Sequence, residues 1–176
     1  MPTEAAARLN EIAGWSGSSA PVEAGVLSVD LPAVIANYRF VQTKAPAARI
    51  GAVVKADAYG LGARTIAPAL AGAGCRDFFV AHLVEALELA PSLPAFARLY
   101  VLNGLAPGME NRCAEAGILP VLNTLEQARD WQAYAAATGR KLPAVLQVDT
   151  GMSRLGLGED ELETLLRQPG FSDWVD

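Results

Sequence analysis

The chemistry-bearing residues of this chain fall into two strings, each placed just after a run of apolar residues. The first is Lys55-Ala56-Asp57-Ala58-Tyr59-Gly60-Leu61-Gly62, preceded by Ile50-Gly51-Ala52-Val53-Val54. A short apolar run closed by turn residues reads as a buried parallel strand. A lysine at its carboxyl end sits where α/β folds assemble their sites. An amine emerging from an apolar wall is desolvated, which favours the neutral, nucleophilic form that a Schiff base needs. The glycines that follow let the backbone turn tightly and approach a bound group. The alternative is a lysine that leaves a core strand and forms an ion pair at its rim.

The second string is Gln147-Val148-Asp149-Thr150-Gly151-Met152-Ser153-Arg154-Leu155-Gly156. An aspartate, two glycines and an arginine in one loop make an anion clamp, because a guanidinium holds a carboxylate or phenolic oxygen in a fixed fork. A loop arginine that merely ties neighbouring turns together is the competing reading.

These strings need a scaffold, and the rest of the chain supplies a regular one. Val26 to Val29 reads as a strand, and Asp30 as the N-cap of a helix with Pro32 in its first turn and an apolar stripe through Leu31, Val34, Ile35, Tyr38 and Val41. Strands then begin near Ile50, Phe78, Leu99, Leu119 and Leu146. Helices are expected over 65–73, 84–90, 107–116, about 124–138 and 159–167. Thr124 and Gln127 form a capping box, and Gly139 is a stop. Pro91 ends the 84–90 helix, and Pro169-Gly170 ends the last one.

Unalternating strands separated by helices argue for parallel α/β packing. A (β/α)8 barrel needs eight such units and about 250 residues. A doubly wound sheet fits five strands equally well.

Bulk properties narrow the classes further. The 176 residues are 52% hydrophobic with net charge −5, which gives one sizeable core and no electrostatic footprint for nucleic acid. No apolar run approaches the roughly eighteen residues of a membrane span. Residues 1–25 lack the charged start and apolar middle of a signal peptide and read as a weakly ordered tail, with Trp15 unexplained. Cys75 and Cys113 are expected to be buried and reduced, which suits a cytoplasmic location. No metal-ligand spacing is present.

The remaining polar candidates are weaker. His82 follows a strand and reads as a capping or structural residue. Asn103-Gly104 and Asn123 read as turn formers, Trp131 and Tyr134 as packing, and Glu85 and Glu88 as charges on a solvent-facing helix side.

Taken together, Val29-Asp30-Leu31 with its helix, the AVVKADAYGLG block and the VDTGMSRLG block resemble the alanine racemase family. The resemblance runs in order from about Val26 to the end of the chain. It implies a pyridoxal-phosphate enzyme whose amino-terminal barrel is followed by a β-rich domain. Residues 26–176 are then about five of eight βα units of a partial TIM-type barrel, preceded by a strand and helix.

The same resemblance implies residue roles. Lys55 forms the internal aldimine with pyridoxal 5'-phosphate and moves the Cα proton on one face. Tyr59 binds the cofactor phosphate. Arg154 lies near the phenolic oxygen and the substrate carboxylate, and Met152 lines the site from below.

The implied activity is two-base interconversion of L- and D-alanine in a cytoplasmic homodimer, supplying D-alanine for peptidoglycan. The second base, a tyrosine of the partner subunit, matches none of Tyr38, Tyr59, Tyr100 or Tyr134. The isolated chain is therefore expected to be incomplete and inactive. Where family members often carry a carbamylated lysine, this chain has Gln147, whose amide oxygen can accept from Arg154 without adding charge. A broad-specificity amino-acid racemase and a non-catalytic pyridoxal-phosphate-binding protein are the alternatives.

Overall fold

In the computed structural model, residues 26–168 are described, and the chain divides into two compact units at Asp30 and Leu31. The amino-terminal tail and Trp15 lie outside the described residues, as does the Pro169-Gly170 stop. Of the first unit, residues 26–30 carry no regular element, so the strand expected over Val26–Val29 is not formed. A short apolar run becomes a strand only with a ladder partner, and Val26 and Leu27 are exposed.

The second unit opens with α1 (Leu31–Lys44), directly after Asp30. Its stripe is only partly used, since Tyr38 is buried but Val41 is exposed. There follow β1 (Ala52–Val53), a one-turn element α2 (Lys55–Tyr59), α3 (Ala63–Gly72), β2 (Asp77–Val80) and α4 (Leu83–Leu89), which runs into a short 3-10 turn over Ala90–Ser92. The series continues through β3 (Arg98–Val101), α5 (Glu110–Glu115), β4 (Leu119–Leu122), α6 (Leu125–Thr138), β5 (Val145–Leu146) and α7 (Glu159–Leu166).

Several boundaries differ from the expected ones. The helix expected from Pro107 starts only at Glu110, because Gly108 turns through φ +81° and breaks the right-handed path. β1 and β5 are each shorter than the apolar runs that contain them, although Val54 N–H still donates to Phe79 O at 2.8 Å and Gln147 N–H to Leu122 O at 3.0 Å.

All five strands are parallel and lie in the order β1-β2-β3-β4-β5. Every strand therefore neighbours its predecessor. A doubly wound sheet reverses its order at a switch point, and no reversal occurs here.

The register places Phe78, Val80, Val101, Pro120 and Leu122 on one face, and all five are fully buried. Val53, Phe79, Tyr100 and Val145 have the opposite parity. On that face Phe79 and Tyr100 stack at 4.7 Å, while the two end strands leave Val53 and Val145 exposed. Gln147, whose N–H still bonds Leu122 O, continues this second parity beyond β5.

The amino ends of the strands are tied by ion pairing rather than chemistry. Asp77 is buried and takes Arg49 Nε at 2.7 Å, Arg98 Nη2 at 2.6 Å and the Tyr100 hydroxyl at 3.1 Å. Cys75 and Cys113 are free and buried. Burial, aided by the charge of Glu110, pushes the Cys113 thiol up to about 12, so it stays protonated. Trp131 is buried and donates from Nε1 to Leu142 O at 3.1 Å, and the Tyr134 hydroxyl donates to Asn111 Oδ1 at 2.8 Å, so both pack as expected. No helix among the described residues is long and apolar enough to cross a membrane, and no cluster of three or more potential metal ligands occurs among them.

Candidate active site

β1 stops because Val54 leaves extended geometry, at φ −124° and ψ 22°. Lys55 follows, half-buried, and the next four residues turn the wrong way for L-amino acids. Ala56, Asp57, Ala58 and Tyr59 lie at φ between 51° and 56°. They form a left-handed turn, with Gly60 N–H donating to Ala56 O at 2.9 Å and Gly62 N–H to Asp57 O at 2.9 Å. A left-handed helical residue costs about 1–2 kcal/mol, because Cβ crowds the following carbonyl. Four in a row must be held by their surroundings.

Two carboxylates provide much of that hold. Asp57 Oδ1 accepts from Ala63 N–H at 2.7 Å, joining the turn to the first residue of α3. Glu85 Oε1 accepts from Ala56 N–H at 2.6 Å, while its Oε2 accepts from Ala81 N–H at 2.7 Å and His82 N–H at 2.8 Å. Burial pushes the Glu85 carboxyl up, but the three main-chain donors outweigh it and leave it below the usual carboxylate range. Glu85 is therefore not a solvated surface charge as its helical spacing suggested. A cleft of about 130 Å³ beside it is lined by Val54, Asp57, Arg64, Val80 and Glu88 as well.

Tyr59 ends the turn and is 64% exposed, within reach of a ligand. An apolar groove between α1 and β1, lined by Val34, Tyr38, Val53, Leu61 and Ile66, runs beside it.

The Arg154 string leaves β5 and is closed at its base by two main-chain bonds. Leu157 N–H donates to Gln147 O at 2.8 Å, and Asp149 N–H donates to Leu157 O at 3.0 Å. Asp149 Oδ1 accepts from Gly151 N–H at 3.0 Å and Ser153 N–H at 2.9 Å. Those donors, Ser153 first, hold its carboxyl below the usual range. Ser153 sits at φ +54° and Gly156 at φ +113°, where an added Cβ would lie 2.6 Å from Asp149 N.

Arg154 and Met152 are exposed. The bond expected from Arg154 to Gln147 is not made; the Gln147 amide instead donates to Leu155 O at 3.2 Å. Its NH2 group faces a carbonyl of its own loop, which closes the loop locally.

Lys55 and Arg154 thus emerge at the same end of the sheet but from its first and last strands. Four strand steps of about 4.8 Å separate β1 from β5 along the ladder, so only curling of the sheet shortens the span between them. Of the lesser candidates, Gly104 makes its turn at φ +68°. Asn123, read as a turn former, is buried, and its Nδ2 donates to Leu102 O and Val121 O, both at 2.9 Å. His82 precedes α4, and its Nε2 lies 3.4 Å from Asn103 Nδ2. Glu85 is the residue that sequence reasoning missed. A glutamate three positions after a helix start is a recognisable capping signal, but its bond to Ala56 joins residues 29 apart in sequence.

Comparisons with known proteins agree on one family. The family model described as "Alanine racemase, N-terminal domain" matches residues 29–172. An alanine racemase of Brucella ovis is 60% identical over 152 residues, covering 86% of this chain and 38% of that protein. A catabolic alanine racemase of Agrobacterium fabrum is 51% identical over 152 residues, covering 86% of this chain and 39% of its own length. The crystal structure of alanine racemase from Bartonella henselae with covalently bound pyridoxal phosphate superposes with TM-score 0.81 at 44% identity, covering 84% of this chain and 43% of that one. A histidine racemase from Leuconostoc mesenteroides gives TM-score 0.76 at 28% identity, over 90% of this chain and 43% of that one. The chain spans less than half the length of these relatives.

Proposed function

Because the chain belongs to the alanine racemase N-terminal domain family, we propose that it is the lysine-bearing part of a pyridoxal-phosphate-dependent alanine racemase. The described residues from Leu31 onward form the amino-terminal portion of a (β/α) barrel. The unreversed parallel order of five strands supports this reading, since barrel strands follow one another around the ring. The observation that carries the function is Lys55 at the carboxyl end of β1 on a constrained left-handed turn, with exposed Tyr59 at the other end of that turn.

The donor set fits pyridoxal phosphate. It comprises a primary amine for a carbonyl carbon, a phenol that can donate to a phosphate and a guanidinium for an anionic oxygen. When bound, the cofactor supplies an electron sink for the bond broken at the substrate Cα. Lys55 attaches the cofactor and moves the proton on one face of the substrate. Tyr59 donates to the phosphate. Arg154 orients toward the phenolic oxygen and the substrate carboxylate, and Gln147 leaves this loop without the negative charge of a carbamate. The base for the opposite face comes from outside the described residues, across a homodimer interface.

The test is covalent attachment. The full-length protein mixed with pyridoxal phosphate is expected to gain an absorbance band that borohydride reduction abolishes, leaving the cofactor fixed on the peptide containing Lys55. Lys55→Ala is expected to lose the band and all D-alanine formation. A wild-type protein that takes up no cofactor would sink the proposal.

A broader substrate range is the second reading, favoured by the likeness to a histidine racemase. Racemisation rates for alanine, serine, lysine and histidine separate the two readings. Comparable rates for all four would favour the broad enzyme.

A further inference from the structure

We propose that Glu85 is a positioning residue for Lys55, clamping the left-handed turn on which the lysine is mounted to the β2–α4 junction. This deepens the reading above and rests on Lys55 being the attachment point.

The argument starts from the turn itself. Residues 56–59 occupy a backbone region that non-glycine residues avoid, and none of the four is a glycine. Local bonds close the turn through the carbonyls of Ala56 and Asp57, but they leave the Ala56 N–H without a partner inside it. The first N–H groups of any helical turn lack a partner inside it, and that of Ala56 is one of them. Glu85 Oε1 meets it at 2.6 Å.

The same carboxylate is anchored from its other oxygen. Ala81 and His82 donate to Oε2 at 2.7 and 2.8 Å, and both belong to the segment that joins β2 to α4. Glu85 therefore links the residue after Lys55 to the neighbouring βα unit. Asp57, the other carboxylate of the turn, bonds only six residues onward in its own connection. A three-donor carboxylate has a fixed direction, and bonds to a charged acceptor are the stronger class. The chemical consequence is orientation: Lys55 and Tyr59 flank the clamped residues, so losing the clamp frees both ends of the turn.

Glu88, one helical turn on and lining the same cleft, accepts no such bond and serves as the control. The chain has lysines only at 44, 55 and 141, so Lys44 and Lys141 serve as internal references for labelling.

The experiment compares full-length wild type, Glu85→Ala, Glu85→Gln and Glu88→Ala in three readouts. These are amide exchange over residues 55–62, competitive acylation of Lys55 against Lys44 and Lys141 without cofactor, and the affinity for pyridoxal phosphate. For Glu85→Ala, exchange at Ala56 is expected to rise about tenfold, Lys55 labelling to rise about twofold or more relative to the references, and cofactor affinity to fall about tenfold. Glu85→Gln, which keeps one acceptor oxygen, should lie between, and Glu88→Ala should match wild type.

Unchanged exchange over 55–62 in Glu85→Ala would overturn the clamp. Faster exchange with unchanged Lys55 labelling would reduce Glu85 to a structural cap and overturn the positioning role. If wild type takes up no cofactor while exchange and labelling still depend on Glu85, the attachment reading fails and the clamp stands.

Discussion

The Lys55 turn and the Arg154 loop both leave the carboxyl end of a parallel strand, both pass through positive φ, and both use a carboxylate to collect main-chain N–H groups. They differ in where that carboxylate comes from. The Lys55 turn has its own Asp57 bonded to Ala63 N–H, but it is held as well by Glu85, which reaches across 29 residues from the next βα unit. The Arg154 loop is held by its own Asp149, bonded two and four residues away. The first is therefore preorganised by tertiary structure, and the second by local geometry alone. The difference also appears in exposure, since Lys55 is half-buried while Arg154 and Met152 face solvent. An attachment lysine benefits from fixed geometry before any ligand arrives. An arginine that grips an anion can complete its orientation on contact.

The largest expected effect in testing this contrast lies at a glycine in the Arg154 loop. Gly156→Ala adds a Cβ 2.6 Å from Asp149 N at a φ of +113°. Combining left-handed strain with overpacking, it should cost about 2–5 kcal/mol or displace the loop. Gly60→Ala, at φ +84° with open space around the added atom, should cost only about 1–2 kcal/mol. Urea unfolding of the two variants measures the gap, and equal losses would show that the loop yields where it is drawn tight.

A smaller effect has a diagnostic sign. Ala133→Gly, exposed in the middle of α6, should destabilise by about 1 kcal/mol. Ala56→Gly, at φ +51°, should be neutral or stabilising, because glycine relieves the left-handed penalty. A loss at Ala56 as large as that at Ala133 would contradict the left-handed turn.

The smallest effect concerns acid. Glu85 and Asp149 both titrate below their ordinary values when folded. Their contribution is complete above the unfolded carboxylate range near pH 4 to 4.5 and is lost as pH falls through the lowered folded values. Protection of the amides relative to their intrinsic exchange rate should therefore fall at Ala56 for Glu85, and at Gly151 and Ser153 for Asp149, only below about pH 4. Protection lost near neutral pH would assign these amides to other partners.

Much of this was readable from residue order. Strand-ending runs at Val54 and Val148 place Lys55 and Arg154 at one end of a parallel sheet, and the Thr124 cap and Gly139 stop bound α6. These features are local: apolar run length, cap chemistry and backbone permissiveness act within a few residues, so the linear sequence carries them. The failures were equally physical. Val26–Val29 has strand composition, but a ladder needs a partner that composition cannot supply. Glu85 has the spacing of a surface charge, yet its carboxylate is committed to the main chain, including a segment 29 residues away. The left-handed path of Ala56 to Tyr59 runs against the preference of every residue in it. The amino acids set which groups are available and at which strand ends they stand. The handedness of the Lys55 turn, the clamp upon it and the burial of Asn123 depend on contacts between segments distant in sequence, because only folding brings those donors and acceptors within bonding distance.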